Sequence, residues 1–156
     1  MSDVLFLDSG PLGLITQPQR SQEVIAITDW LKDCLLAGAR VLVPAIVYYK
    51  IKRELLRANK TIGLARLDAF VNAASDRYVP LTDDALRFAA ELWAHSRRVG
   101  RPTADATALD IDVLLSAQAL RCGRSPVVAT TNPKHLSQFL PALHWTDISP
   151  STFAAQ

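Results

Sequence analysis

Apolar residues follow two rhythms along this chain. Short unbroken runs occur at Val4 to Leu7, at Arg40-Val41-Leu42-Val43 and at Val127-Val128-Ala129-Thr130. Between them lie longer segments in which apolar residues recur every three or four positions, as Val24, Ile25, Ile27, Leu31 and Leu35 do between Ser21 and Leu36. The short runs predict strands and the periodic segments predict helices. Further helices are expected from Pro44 to about Ala58, Ile62 to Ala74, Asp83 to Val99 and Ala108 to Leu120, with a small one from Pro133 to Phe139. Tyr78-Val79-Pro80-Leu81 and Leu143 to Ile148 are weaker strand candidates, the second an edge strand. Gly38 supplies a helix stop and Pro44 suits a first helical turn. The segment Gly100 to Thr107 is the longest expected loop.

Strands that are apolar on both sides and alternate with amphipathic helices predict an α/β fold, with a mainly parallel sheet covered on both faces. In such sheets, sites gather beyond the carboxyl ends of the strands. Residues 1–150 are expected to form one domain, because 156 residues suffice for a single core and no linker or repeat interrupts them. The tail at 151–156 is expected to be loose.

Composition narrows the class without naming it. Hydrophobic residues make up 49% and charged residues 21%, which argues against disorder. The formal charge of 17 minus 15, or +2, is too small to indicate a nucleic-acid partner by itself. Cys34 and Cys122 are far apart and lack metal-ligand spacing, so buried free thiols in a reducing cytoplasm are expected. No stretch approaches the roughly 20 apolar residues of a membrane span, and no basic leader precedes Val4. A soluble, cytoplasmic protein is expected.

Candidate chemistry sits at the ends of the expected strands. Asp8 directly follows the first, either as a carboxylate projecting into the crevice or as a cap ahead of Gly10-Pro11. Asp112 lies in a small apolar helical segment, where a charged group needs a partner. Asp110 is about 200° from it around a helix, so one of the two is assigned to ligation (Asp112) and the other to capping (Asp110). Asn132 follows the strand at Val127 to Thr130 and either caps a helix ahead of Pro133 or offers its amide oxygen to a cation. Oxygen donors without a His or Cys cluster suit Mg²⁺ or Mn²⁺ over zinc, and His95, His135 and His144 are scattered.

These segments resemble the PIN-domain family, particularly VapC-like toxin ribonucleases of type II toxin–antitoxin systems. Phe6-Leu7-Asp8-Ser9-Gly10-Pro11-Leu12 resembles the family's opening strand and first Asp. Asp112-Val113-Leu114-Leu115-Ser116-Ala117-Gln118-Ala119 resembles its Asp and Ala-rich helix, and Val128-Ala129-Thr130-Thr131-Asn132-Pro133-Lys134-His135-Leu136 its last strand end. The resemblance runs nearly end to end. It implies a PIN-like (Rossmann-like) three-layer α/β/α sandwich and an endoribonuclease dependent on Mg²⁺ or Mn²⁺. Asp8 and Asp112 match its acidic positions, Asn132 the last and more variable one, and Thr130 the neighbouring hydroxyl. Ser9 and Asp110 would support these ligands from behind. The expected partners are RNA, a cognate antitoxin protein and a second copy of the chain.

One position departs from the family pattern: Lys50 stands where the resemblance implies Glu. At about 4 Å and an effective dielectric near 20, each unit charge pair is worth roughly 4 kcal/mol, so an ammonium beside a dication lowers its affinity by orders of magnitude. Three arrangements are open. Lys50 snorkels away and water completes the ion's shell; Glu54, one turn later, reaches inward; or the Lys50 ammonium fills the cation site itself. The last would leave a catalytically impaired module that binds RNA or an antitoxin without efficient cleavage. Lys52, Arg53 and Arg57, with Lys60, are candidate phosphate contacts beside the site, or else a solvated helix face. For the second cluster, Arg97, Arg98 and Arg101, a solvated face is the expectation. A phosphatase or receiver protein also puts Asp at a strand end, but Gly10 occupies the position of the second acid that such a phosphatase requires.

Overall fold

In the computed structural model, which describes residues 3–100 and 106–154, five parallel strands form one sheet in the order β3-β2-β1-β4-β5. They are β1 (Val4–Leu7), β2 (Arg40–Pro44), β3 (Tyr78–Val79), β4 (Pro126–Thr130) and β5 (Ala142–His144). Every residue of β1 and β4 is buried, as expected of central strands clad on both faces. The helices are α1 (Ser9–Thr16), α2 (Gln22–Leu36), α3 (Ala45–Arg57), α4 (Thr61–Asn72), α5 (Asp83–Arg98), α6 (Ala106–Leu120) and α7 (Pro133–Leu136). The architecture is a PIN-like three-layer α/β/α sandwich, and its strand order reverses direction between β1 and β4.

Local chemistry accounts for most boundaries. Ser21 caps α2 by accepting from the amide of Val24, and Gly38 ends it at φ +108°. Thr82 caps α5 through the amide of Ala85, with Asp83 and Asp84 in the first turn complementing the helix dipole. Pro44 ends β2 and stands just before α3 instead of inside its first turn, and offers no side-chain cap. That role passes to a residue distant in sequence: buried Gln118 on α6 accepts from the amide of Ile46 at 3.3 Å and donates to the carbonyl of Val79 at 2.8 Å.

The main core joins the sheet to α1, α2, α3 and α6, and a smaller cluster of Ala85, Ala89, Leu109, Val113 and Ala117 seals α5 against α6. Arg77 is buried, and the carboxylate whose charge acts on it is that of the neighbouring Asp76. Its guanidinium donates to the carbonyls of Val41 and Phe70 and lies over the Phe70 ring at 4.4 Å.

Several expected elements come out shorter. The strand expected to reach Leu81 stops at Val79, and the helix expected to Phe139 stops at Leu136. The edge strand expected to Ile148 stops at His144, because the His144 ring accepts from the amide of Thr146 and draws the chain into a 3₁₀ turn. Most of the long loop expected from Gly100 to Thr107 lies outside the described residues. The tail is not loose through residue 154: a second 3₁₀ turn at Pro150–Phe153 buries Phe153 against the core, and the Trp30 indole donates to the carbonyl of Ile148 at 2.8 Å. Among the described residues, no helix is long and apolar enough to cross a membrane.

Candidate functional site

The strand order reverses between β1 and β4, and the space beyond the carboxyl ends of such strands is the crevice where open α/β sheets usually bind. Asp8 directly follows β1 at that end of the sheet. Its amide continues the ladder by donating to the carbonyl of Ala129 at 3.0 Å, so the end of the sheet fixes its backbone. Its carboxylate does two jobs at once. Oδ1 accepts from the amide of Ser9 at 2.7 Å and caps α1, while Oδ2 accepts from the Thr130 hydroxyl at 2.8 Å. Capping and projection into the crevice, opposed as alternatives in the sequence, coexist in one side chain.

Thr130 is 1% exposed, and its hydroxyl also accepts from the amide of Asn132 at 3.0 Å. With that lone pair occupied, the proton is directed at Asp8. Asn132 itself is exposed, and its side chain makes no capping bond to α7. Gly10 closes the back of the site. A Cβ there would lie 2.4 Å from Oγ1 of Thr131, so a larger residue would require the Thr131 side chain or the α1 backbone to shift. The sequence suggested only a turn at Gly10; the close approach of a residue more than a hundred positions later left no local mark.

Asp112 lies on α6 and is half-buried. Burial pushes its carboxyl up to about 6, the negative charge of Asp8 adds to this, and the positive charge of Lys50 opposes it. The charges of Asp8 and Lys50 therefore both act on Asp112. Asp110, expected as a cap, is instead the fifth described residue of α6, exposed, and lines a shallow groove with Leu86, Ala89 and Trp93. The helix extends at least four residues further toward its N-terminus than the capping assignment requires.

Lys50 does not snorkel away from the crevice: its Nζ donates to the Ser9 hydroxyl at 3.2 Å. Glu54 turns elsewhere. Its Oε2 accepts from Arg57 Nε at 3.0 Å and Nη2 at 2.9 Å, and it lines a separate cleft of about 480 Å³ between α1, α3 and α4. The structure does not bring Glu54 to Asp8 and Asp112; it pairs with Arg57 instead.

The basic residues of α3 are mostly engaged. Lys52 Nζ donates to the Tyr48 phenol oxygen at 3.0 Å and to Asp68 at 3.2 Å, while Tyr48 donates to Asp68 at 2.6 Å. The Tyr48 hydrogen bond, helped by Lys52, holds the Asp68 carboxyl below its usual range, and Tyr48 followed by Asp68 holds Lys52 above its own. Arg53 lies over the Tyr49 ring at 5.1 Å.

As a cation site the donors are right in kind: two carboxylates and two hydroxyls are all hard oxygens, which suit Mg²⁺ or Mn²⁺. Among the described residues, no cluster of three His, Cys, Asp or Glu side chains poised to hold a metal ion is found. An ion here would have to be held by Asp8 and Asp112, the two carboxylates whose charges interact, against the positive charge of Lys50.

No protein-family model matches the chain, and no curated protein matches it in sequence. Solved structures do match in shape. A chain of VapBC2 from Rickettsia felis, described as bound to a DNA fragment from their promoter, superposes with a TM-score of 0.70 at 15% identity, covering 91% of this chain and 98% of that one. A chain of FitAB bound to the IR36 DNA fragment gives 0.68 at 17% identity, covering 93% and 97%. A chain of FitAcB from Neisseria gonorrhoeae gives 0.68 at 18% identity, covering 92% and 99%. The likeness at these identities is one of fold, and it spans essentially the whole of each chain.

Proposed function

We propose that this chain is the toxin-type member of a toxin–antitoxin pair, an RNA endonuclease of the PIN/VapC type whose Asp8 and Asp112 hold Mg²⁺ or Mn²⁺. One observation carries the proposal: the Thr130 hydroxyl bonds to Asp8 at 2.8 Å across the point where the strand order reverses, while Asp112 brings a second carboxylate to the same crevice. A bound ion of this kind supplies a water of lowered pKa and a fixed contact for the scissile phosphate. The chain supplies the rest. Thr130 and the Ser9 amide hold Asp8 in one orientation, Asp112 comes in from α6, and the exposed Asn132 amide stands at the strand end, free of α7, to accept from water or substrate. Of the basic residues here, Arg53 on α3 and the exposed Lys60 just before α4 are the phosphate contacts; Lys52 and Arg57 already hold carboxylates.

The partner reading rests on the fold neighbours, whose descriptions are of VapBC and FitAB assemblies. A small antitoxin protein is the expected partner, and a second copy of the chain the expected oligomeric one. A second reading, in which the module binds RNA or antitoxin with little cleavage, is favoured by the position of Lys50 at the Ser9 hydroxyl and by the engagement of Glu54 with Arg57. Cleavage of a mixed RNA substrate in Mn²⁺ by the chain and by Lys50→Glu, each with and without Asp8→Asn, tests the proposal. Lys50→Glu should raise cleavage sharply, and Asp8→Asn should abolish it in either background. Absence of cleavage in both the chain and Lys50→Glu would overturn the assignment as a ribonuclease.

A further inference from the structure

We infer that the Lys50 ammonium is the built-in counter-charge of the Asp8–Asp112 pair, seated there by Ser9, so that the chain folds without a divalent ion and admits one only weakly. The inference rests on Asp8 and Asp112 forming a cation site, and it concerns what controls access to that site.

Three features carry it. The Ser9 hydroxyl receives Lys50 Nζ at 3.2 Å, and Ser9 is the first residue of α1, immediately after Asp8. The lysine is therefore anchored to the same turn that presents the first carboxylate. The charge of Lys50 also acts on Asp112, the second carboxylate. Among the described residues it makes no direct ion pair with either carboxylate, so its charge is not spent on one of them. Finally, Glu54, the nearest acid on the same helix that would offset Lys50, is committed to Arg57 through two hydrogen bonds.

The charge arithmetic then sets the direction. Two carboxylates give −2 and Lys50 returns +1, so a dication meets a net charge of about −1 and a like charge nearby. At Coulomb range and an effective dielectric near 20, removing one such charge raises dication affinity on the order of tenfold to a hundredfold even after strong screening, and reversing it raises affinity further. Loss of the Ser9 hydroxyl frees the ammonium to swing toward solvent and should have a smaller effect of the same sign.

The test is Mn²⁺ binding to the full chain, read by titration calorimetry and by thermal unfolding in EDTA and in millimolar Mn²⁺. The unsubstituted chain should bind weakly and keep the same Tm in both. Lys50→Met, which retains the aliphatic stem, should bind about tenfold more tightly or better, Lys50→Glu more tightly still, and Ser9→Ala a few-fold more tightly than the unsubstituted chain. Tm should rise with Mn²⁺ in the Lys50 variants. Equal affinity in the unsubstituted chain and Lys50→Met would overturn the inference, as would a complete lack of Mn²⁺ binding by every variant. Tight Mn²⁺ binding by Lys50→Glu without RNA cleavage would support it while removing the ribonuclease assignment, so the two can fail separately.

Discussion

At the scale of single residues, Asp112 carries the clearest energetic signature. Its carboxyl is raised from 3.8 to about 6, chiefly by burial, so the folded chain resists its ionisation. A raised acid favours the folded state fully below the unfolded value and loses that contribution as pH climbs through the folded one. At neutral pH and without an ion, the charged form therefore costs up to about 3 kcal/mol. Asp112→Asn should accordingly be more stable than the unsubstituted chain at pH 7.5 by up to about 3 kcal/mol, with the advantage vanishing below about pH 4. Urea unfolding in EDTA at the two pH values measures this, and an unchanged difference between them would contradict it. Such a gain on removing the acid would mark a residue that does not serve folding.

Asp8 and Thr130 were legible as candidates because continuous apolar runs place strand ends well, whereas Asp112 stood out only as a charged group in an apolar helical segment. Direction was not legible. Glu54 can meet Arg57 three positions on, Lys50 four positions back, or the site, and sequence spacing favours each almost equally. The structure selects Arg57. The seating of Lys50 on Ser9 was equally hidden, since it joins residues that only tertiary packing brings together.

At the scale of elements, α3 has a start that local sequence does not explain. Pro44 gives it no side-chain cap, and Gln118 of α6 supplies the acceptor from across the fold while its amide donates to β3. The same side chain thus locks the position of the helix that bears Lys50 relative to the helix that bears Asp112. Gln118→Leu would leave the Ile46 amide and the Val79 carbonyl without buried partners, at a cost of about 2 kcal/mol. Urea denaturation should show that loss, together with earlier amide exchange at Ile46; unchanged stability would mean that water replaces the side chain. Helix and strand identities were readable because they depend on periodicity. The ends of β3, β5 and α7 were not, because there a side chain or an edge position competes with the regular ladder, as His144 does.

At the scale of the whole molecule, the surprise is how the chain closes. The segment after Ser149 lacks apolar periodicity and so reads as loose, yet a single Phe153 is enough to dock it, beside Trp30 and Trp145 whose ring centroids are 5.5 Å apart. Isolated anchors of this kind are invisible to any window-based pattern. Phe153→Ala should cost about 3 kcal/mol, visible as a lower Tm and a shifted tryptophan emission, and a Tm within error of the unsubstituted chain would argue against docking. The parallel order itself was inferable from alternation, and the place where it reverses determines where chemistry can occur.

The abutment of Gly10 against Thr131 imposes an order on how this molecule can diversify. A descendant that acquires a side chain at position 10 does so with least displacement after bulk is shed at position 131, since the reverse sequence passes through an intermediate in which the Thr131 side chain or α1 has to shift. Substitutions tolerated at either position therefore depend on the history of the other. Combinatorial libraries that randomise both together should recover partners that stepwise mutagenesis would miss.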